Sequence, residues 1–361
     1  MRNDRITNGS GAAICALVIF ANAYSVMSGA NAGKGAWLAH LLAGGAATAF
    51  AWCLASVCER FPEKSFYEVL EASVGKWGAR AAGALTAFFS LVTCVLSLTV
   101  FSRFVQITAL ARTPQIILPL ILAIVSALAL RTGMRAVSGA ARLLFWFAAA
   151  VFAVFVLFGI RWMEPELLLP GKTGTEMLFG GAGEVFLNRF GTVFALFSVY
   201  SRMKPGNGRK KAFLLSVALS AVGLALVCAV TVATLGEGTV GTDFYPVFTA
   251  MSVRGVGGFI QHTEILACIA MTLSLFFKTS VCLMFAVDML CGIFDIRKGK
   301  GFSLPLALIC AAMTQLIYRD LSALRGMVEW TPGASWVVAV YALLPPVFLI
   351  GARIKKKSGV E

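Results

Sequence analysis

Residues 35–58 read GAWLAHLLAGGAATAFAWCLASVC and contain no Asp, Glu, Lys or Arg. A run of about 20 apolar residues spans the ~30 Å hydrocarbon core of a bilayer as one helix. Eight stretches of at least 18 residues in this chain lack a charged side chain in the same way. The chain is 59% hydrophobic and 13% charged, with a mean hydropathy of +0.84. This composition predicts an all-α polytopic membrane protein.

Ten transmembrane helices are predicted from the apolar runs. Their approximate bounds are residues 10–33, 36–58, 81–108, 113–130, 140–160, 178–201, 212–236, 257–290, 302–318 and 332–352. Five spans precede the loop at residues 161–176 and five follow it, which is the arithmetic of a five-plus-five inverted repeat. Repeat one then covers about residues 10–160 and repeat two about residues 178–352. We expect a single transmembrane domain, residues 1–354, followed by a tail, residues 355–361.

The 31 Lys and Arg residues are unequally distributed between the two sides of the predicted bundle. Twenty-one lie on the side of both termini, seven lie on the opposite side, and three lie within spans. Because cytoplasmic loops carry the positive excess, both termini are predicted to be cytoplasmic. The basic residues are spread over six short loops and termini, so the net charge of +14 indicates topology and not a nucleic-acid surface.

Two shorter segments are predicted to lie along the membrane surface. Residues 64–76 form an amphipathic pattern on the inner side, and residues 245–252 are the second candidate, on the outer side. The nine cysteines include no C-x-x-C pair, so neither a zinc site nor a disulfide framework is predicted. H-E-x-x-H, G-x-S-x-G and P-loop motifs are also missing from the sequence, and we therefore predict neither an enzyme nor a bound cofactor.

Ionisable residues inside the spans are the first candidates for function, because their cost in hydrocarbon makes them face the bundle interior. The spans carry Arg103, Glu184, Arg189, Glu264 and Lys278, with His262 closer to the surface. The span directions place the first four at similar depth, and Lys278 about 21 Å deeper than Glu264 at 1.5 Å per residue, near the inner end of the pathway. Their summed charge is +1, which leaves one positive charge for a substrate carboxylate.

Each of these residues also has a structural interpretation. Arg103 and Glu264 are candidates for a buried ion pair that fixes helix packing without contacting a ligand. Lys278 is a candidate to extend its ammonium toward the inner headgroups. The sequence alone leaves both interpretations open.

Two spans carry polar residues near their midpoints. The first contains Asn22, Ala23, Tyr24 and Ser25, and the sixth contains Asn188, Arg189 and Gly191. Broken helices at corresponding positions of two repeats indicate a midplane binding site, where the freed helix ends meet a zwitterion. An unbroken helix whose polar residues face a neighbouring helix is the alternative.

Four stretches resemble one known family, the spore germination permeases (the B subunits of endospore germinant receptors, GerAB-type). They are FPEKSFYEVL (residues 61–70) followed by VGKW (74–77), FSRF (101–104) with RTP (112–114), RTGMR (131–135), and YP (245–246) with IQHTE (260–264) and FKTS (277–280). Their order and spacing match the family over essentially the whole chain. The family usually has Arg where His262 stands.

The resemblance implies a LeuT-like fold of the amino acid/polyamine/organocation (APC) transporter superfamily. It also implies a germinant-sensing subunit of the inner spore membrane that binds a small amino acid or similar nutrient and works with A-type and lipoprotein C-type subunits. A cation-coupled amino acid permease, in which Lys278 or Glu264 titrates, and a ligand-gated ion channel are the alternative functions.

Overall fold

The structure is a computed structural model that describes residues 4–24, 28–61, 63–161, 163–168, 174–253, 263–296 and 299–317. Within these ranges the regular secondary structure is helical, and the chain forms no β-strand beyond an isolated bridge between Ile6 and Met203. The prediction of an all-α protein is therefore confirmed. "Inner" here denotes the side that the Lys and Arg distribution predicts to be cytoplasmic.

Helices are present at predicted spans one to nine. The α-helices are α1 (Asn8–Phe20), α2 (Ala36–Cys58), α3 (Phe66–Thr108), α4 (Ile117–Thr132), α5 (Met134–Ile160), α6 (Thr175–Val185), α7 (Leu196–Arg202), α8 (Asn207–Leu235), α9 (Glu237–Thr242), α10 (Pro246–Val253), α11 (Thr263–Ile293) and α12 (Ser303–Ile317). Five of them, α2, α3, α5, α8 and α11, are long and apolar enough to cross a membrane. Span ten, residues 332–352, and the tail, residues 355–361, lie outside the described residues.

The predicted surface helix at residues 64–76 and span three follow each other within α3, separated by a kink at Gly75. Ser65 caps its N-terminus, since its hydroxyl accepts from the Glu68 N–H while the Glu68 carboxylate accepts from the Ser65 N–H at 2.6 Å. This reciprocal pair satisfies two of the backbone donors that a helix start leaves open. The helix bends at Gly75, whose φ of +84° is accessible to glycine at little cost.

α1 lies at the centre of the bundle, packed against α5, α8 and α11. α3 packs along α11, α2 packs along α8, and α12 covers α3 and α4. Aromatic rings join several of these helices near the inner side: the Phe197 ring lies 5.1 Å from that of Phe66 and 5.2 Å from that of Phe213. α1 is therefore held on several sides by neighbouring helices.

The contact between α2 and α8 requires glycine at one position. A Cβ on Gly44 would collide with the Ala221 side chain, whereas a Cβ on the adjacent Gly45 would meet no atom within 4 Å. Small residues at such crossings let membrane helices approach closely.

We expect Gly44→Ala to lower the free energy of unfolding by about 1–3 kcal/mol, the usual cost of overpacking. Gly45→Ala is the matched control, and it should leave stability unchanged or raise it, by up to about 1 kcal/mol, because alanine favours the helix. Thermal unfolding of both purified variants in detergent measures the difference. Equal unfolding temperatures for the two variants would contradict the close approach at Gly44.

Candidate functional site

The first predicted span is interrupted. α1 ends at Phe20, and the chain continues as a short 3₁₀ helix, Ala21–Tyr24. A second 3₁₀ helix, Ala30–Gly35, leads into α2, and Gly29 before it has a φ of +78°. The α-helix therefore ends near Asn22, where the sequence predicts a break, and the described residues beyond it include two 3₁₀ helices in place of the predicted α-helix.

The sixth predicted span is interrupted as well. α6 ends at Val185 and is followed by a π-helical turn, Phe186–Phe190, and a 3₁₀ turn, Gly191–Phe194, before α7 begins. Such turns depart from the i→i−4 hydrogen-bond pattern and are frequent at functional sites. A Cβ on Gly191 would meet no atom within 4 Å, so there is open space beside this second break.

Asn22 connects the two breaks to α11. Its side-chain Nδ2 donates to the Arg189 carbonyl at 2.8 Å, and the Lys278 Nζ donates to its Oδ1 at 2.6 Å. All three residues are buried, with Lys278 only 8% exposed. One amide therefore links the end of α1, the π-helical turn and a buried ammonium.

Glu184 makes a second connection between the broken spans. Its Oε1 accepts from the Gly29 N–H at 2.9 Å, and its Oε2 lies 3.5 Å from the Asn31 Nδ2. The carboxylate is 3% exposed. Hydrogen bonds to a backbone N–H stabilise a buried carboxylate and are stronger than those between neutral groups, so Glu184 holds the turn after the first break against α6.

Buried hydroxyl groups near these residues are not used by the protein itself. The hydroxyls of Thr192, Ser274 and Thr279 are buried and have no hydrogen-bond partner in the described part of the chain. Ser274 precedes Lys278 by one helical turn and so shares its face of α11. Buried polar groups normally find partners, which makes these hydroxyls candidates for contact with a ligand, and the sequence analysis had not selected them.

The other residues predicted for the pocket differ in burial and in how much of each residue the structure describes. Ala23 is buried and Asn188 is half-buried in the π-helical turn. The backbone of Tyr24 belongs to the first 3₁₀ helix, while its side chain and all of Ser25 lie outside the description.

The remaining charged candidates are less fully described. Arg103 is half-buried on α3 beside Phe104, whose ring packs 5.1 Å from that of Tyr245 at the outer side. His262 lies outside the described residues, and Glu264 is described only as part of the first turn of α11. The predicted joint cluster of Arg103 with Glu184, Arg189 and Glu264 stays a prediction.

Lys278 lies higher in the bundle than the sequence analysis placed it. The sequence predicts Lys278 at the inner end of the pathway, with extension toward the headgroups as an alternative. In the structure its Nζ bonds instead to Asn22, at the midpoint of span one. α11 continues as far as Ile293, about four further turns at 3.6 residues per turn. The ammonium is therefore at the level of the helix breaks.

An ion pair joins α7 and α11 on the inner side below this level. Arg202 on α7 makes two hydrogen bonds to the Asp288 carboxylate on α11, at 2.6 and 2.8 Å. The pair lines an inner cavity of about 50 Å³ that reaches Phe277 and Ser280, the residues flanking the Lys278 turn. Neither partner is among the residues that the sequence predicts for the site.

The first break is tightly packed on the side of Ala23. The cavity beside Ala23 measures about 10 Å³, room for about one water molecule. Small-molecule pockets usually measure about 300–1,000 Å³. Among the described residues, the polar groups of the two breaks therefore contact each other, and the Ala23 side of the first break leaves no room for a ligand.

Comparison with known proteins identifies the family to which the chain belongs. The family model described as "Spore germination protein" (Spore_permease) matches residues 6–322. The chain is similar to spore germination protein KB of Bacillus subtilis (strain 168), with 22% identity over 346 residues, covering 93% of this chain and 91% of that protein.

Solved transporter structures share the fold. MHP1, a nucleobase-cation-symport-1 family transporter in a closed conformation with bromovinylhydantoin bound, aligns with a TM-score of 0.67 and 16% identity, covering 90% of this chain and 75% of that one. A Na⁺-coupled sialic acid symporter in a substrate-bound outward-open state aligns with a TM-score of 0.63 and 11% identity, covering 97% and 80%. The chain therefore has the LeuT-like fold of these transporters, and, with a family match over most of its length, it belongs to the spore germination protein (Spore_permease) family of multi-pass membrane proteins.

Proposed function

We propose that this protein recognises a small amino acid or a similar nutrient at the two helix breaks, and that binding triggers spore germination. The observation that carries the proposal is the buried chain from Lys278 through Asn22 to the Arg189 carbonyl. A protein that only needed to pack its helices would avoid a buried ammonium, because taking a charge out of water is costly.

The charges near the breaks fit a zwitterionic ligand. Arg189 and Lys278 supply two positive charges and Glu184 supplies one negative charge, all of them buried. Glu184 is already bonded to Gly29, so the surplus positive charge is available to a ligand carboxylate. The ends of broken helices add partial charges of both signs, positive at their N-termini and negative at their C-termini.

Binding acts in this proposal by shifting the bundle between two arrangements. In the closed arrangement Asn22 and Lys278 contact each other, and Arg202 pairs with Asp288 below them. A ligand that bonds Lys278 and the free hydroxyls of Thr192 and Ser274 favours a more open arrangement, to the extent of its greater affinity for it. α1 and α7 would transmit this change to partner subunits.

The topology, the location and the partner subunits that we propose follow from the family. We propose ten transmembrane helices in a five-plus-five inverted repeat, with both termini cytoplasmic and the protein in the inner spore membrane. We further propose that it works with an A-type subunit and a lipoprotein C-type subunit. The matched transporters bind small molecules, which supports a small-molecule ligand here.

A cation-coupled amino acid permease is the second candidate. The two matched structures are described as cation or Na⁺ symporters, and Lys278 places a fixed ammonium beside the break in span one. An internal cation at this point favours coupling to protons over coupling to Na⁺. In either function, we therefore expect ligand binding to be independent of Na⁺.

Proteoliposomes containing the purified chain distinguish the two functions. A sensor should bind labelled amino acid without accumulating it and should copurify with its receptor subunits from spores. Accumulation that depends on a proton gradient would favour the permease. Failure to bind any amino acid or similar nutrient, with or without Na⁺, would contradict both functions.

A further inference from the structure

A long apolar groove on the inner half of the bundle is separate from the helix breaks. It measures about 540 Å³ and runs between α1, α5 and α8. Its floor is one face of α1, formed by Gly9, Ala12, Ala13, Ala16 and Phe20, which follow the i, i+3, i+4 spacing of a single helix face. Small side chains on this face make the groove deep.

The walls of the groove face the hydrocarbon of the membrane. Trp146 on α5 is 68% exposed, and Leu219 on α8 is 61% exposed. The lining extends along α5 from Arg142 to Phe152, ten residues or about 15 Å at 1.5 Å per residue. This is half of the ~30 Å hydrocarbon thickness, so the groove has the length of one leaflet.

A positive charge stands at the inner end of the groove. The Arg142 Nη2 donates to the hydroxyls of Thr7 and Ser10 at 3.0 and 2.9 Å, which fixes the guanidinium beside the start of α1. A guanidinium carries five N–H donors, and within the described residues the Arg142 Nε and Nη1 make no hydrogen bond, which leaves them available to a ligand.

We propose that this groove binds one anionic phospholipid of the inner leaflet, with its phosphate at Arg142 and one acyl chain along α1. Hydrocarbon fits the apolar walls, the leaflet length fits an acyl chain, and the cation fits a phosphate at headgroup level. A transmembrane helix such as the predicted span at residues 332–352 needs about twice this length. The bound chain braces the inner part of α1, the helix that ends two residues before Asn22.

Two pairs of substitutions test the lipid site. Gly9→Leu places a side chain in the groove, where a Cβ meets no atom within 4 Å, and Gly45→Leu makes the same change in open space on α2, away from the groove. Arg142→Gln removes the charge at the inner end, and Arg135→Gln removes an exposed charge of α5 outside the lining. Native mass spectrometry of the full chain, titrated with phosphatidylglycerol or phosphatidylcholine of identical acyl chains, gives the affinities.

We expect one phosphatidylglycerol to be retained in preference to phosphatidylcholine. Arg142→Gln should weaken its binding about fivefold, the usual effect of one basic residue near a membrane surface. Gly9→Leu should weaken it at least about tenfold by displacing methylene groups of the acyl chain. The Gly45→Leu and Arg135→Gln controls should bind like the unchanged protein. Equal affinity for the two lipids, or equal affinity of Gly9→Leu and its control, would overturn the proposal.

A photoreactive residue at position 146 identifies the occupant directly. Irradiation of the full-length protein in membranes should give an adduct with the mass of a phospholipid. An adduct with a peptide from residues 332–352, or with a second copy of the chain, would show a protein segment in the groove and would overturn the lipid site.

Discussion

Replacing Lys278 by methionine is expected to weaken nutrient binding at least about tenfold and to abolish the germination response, since hydrogen bonds to charged groups contribute about 1.5–3 kcal/mol. Methionine keeps much of the length of the side chain and its apolar character but removes the ammonium. The Asn22 Oδ1 then loses the donor that lies 2.6 Å away. Asn22 is no longer oriented toward the Arg189 carbonyl, so the breaks in spans one and six lose their common contact.

The binding constant of the variant can be measured by calorimetry on purified protein in nanodiscs, and the response by germination of spores that carry it. Lys204→Met is the matched control, because Lys204 is exposed beyond the end of α7. Thermal unfolding of both variants separates a loss of binding from a loss of folding. Unchanged binding by a folded Lys278→Met variant would remove Lys278 from the site.

The spans and their breaks could be predicted because they depend on local sequence. Charge-free runs of bilayer length define helices wherever they occur. Asn22 in span one and Asn188 with Gly191 in span six mark breaks, because side-chain amides compete for backbone hydrogen bonds and glycine weakens a helix. The structure interrupts both spans at these residues.

The contacts between spans could not be predicted in the same way. Within the described residues Ser274 has no hydrogen-bond partner, whereas Ser97 and Thr99 bond to carbonyls of their own helix, and nothing in the local sequence distinguishes them. Asp288 resembles any acidic residue near the inner end of a helix, and its partner is 86 residues away. The predicted depth of Lys278 is wrong for a related reason, since the level of this side chain in the membrane depends on how α11 packs against α1.

Breaking the Arg202–Asp288 pair is expected to destabilise the closed arrangement strongly. Asp288→Ala leaves the Arg202 guanidinium, 11% exposed, with the Ser198 carbonyl at 2.9 Å and the nearby Asp4 carboxylate. Removing one partner of a buried pair costs about 3–5 kcal/mol, and we expect about 2–4 kcal/mol here because the Asp288 side chain keeps 21% of its exposure. Glu63→Ala is the control, because the exposed Arg5–Glu63 pair should contribute less than about 1 kcal/mol.

The same substitution should also change the response to nutrient. Asp288→Ala removes a contact that joins α7 to α11 beside the inner cavity, so a smaller share of the ligand's binding free energy is needed to reach the open arrangement. Spores with this variant should germinate at lower nutrient concentration, or without nutrient. A cycle of Asp288→Ala, Arg202→Ala and the double variant, followed by thermal unfolding, should give a coupling free energy of about 1–3 kcal/mol. A stability loss without any change in nutrient dependence would mean that the pair only holds α7 against α11, and that the inner closure plays no part in signalling.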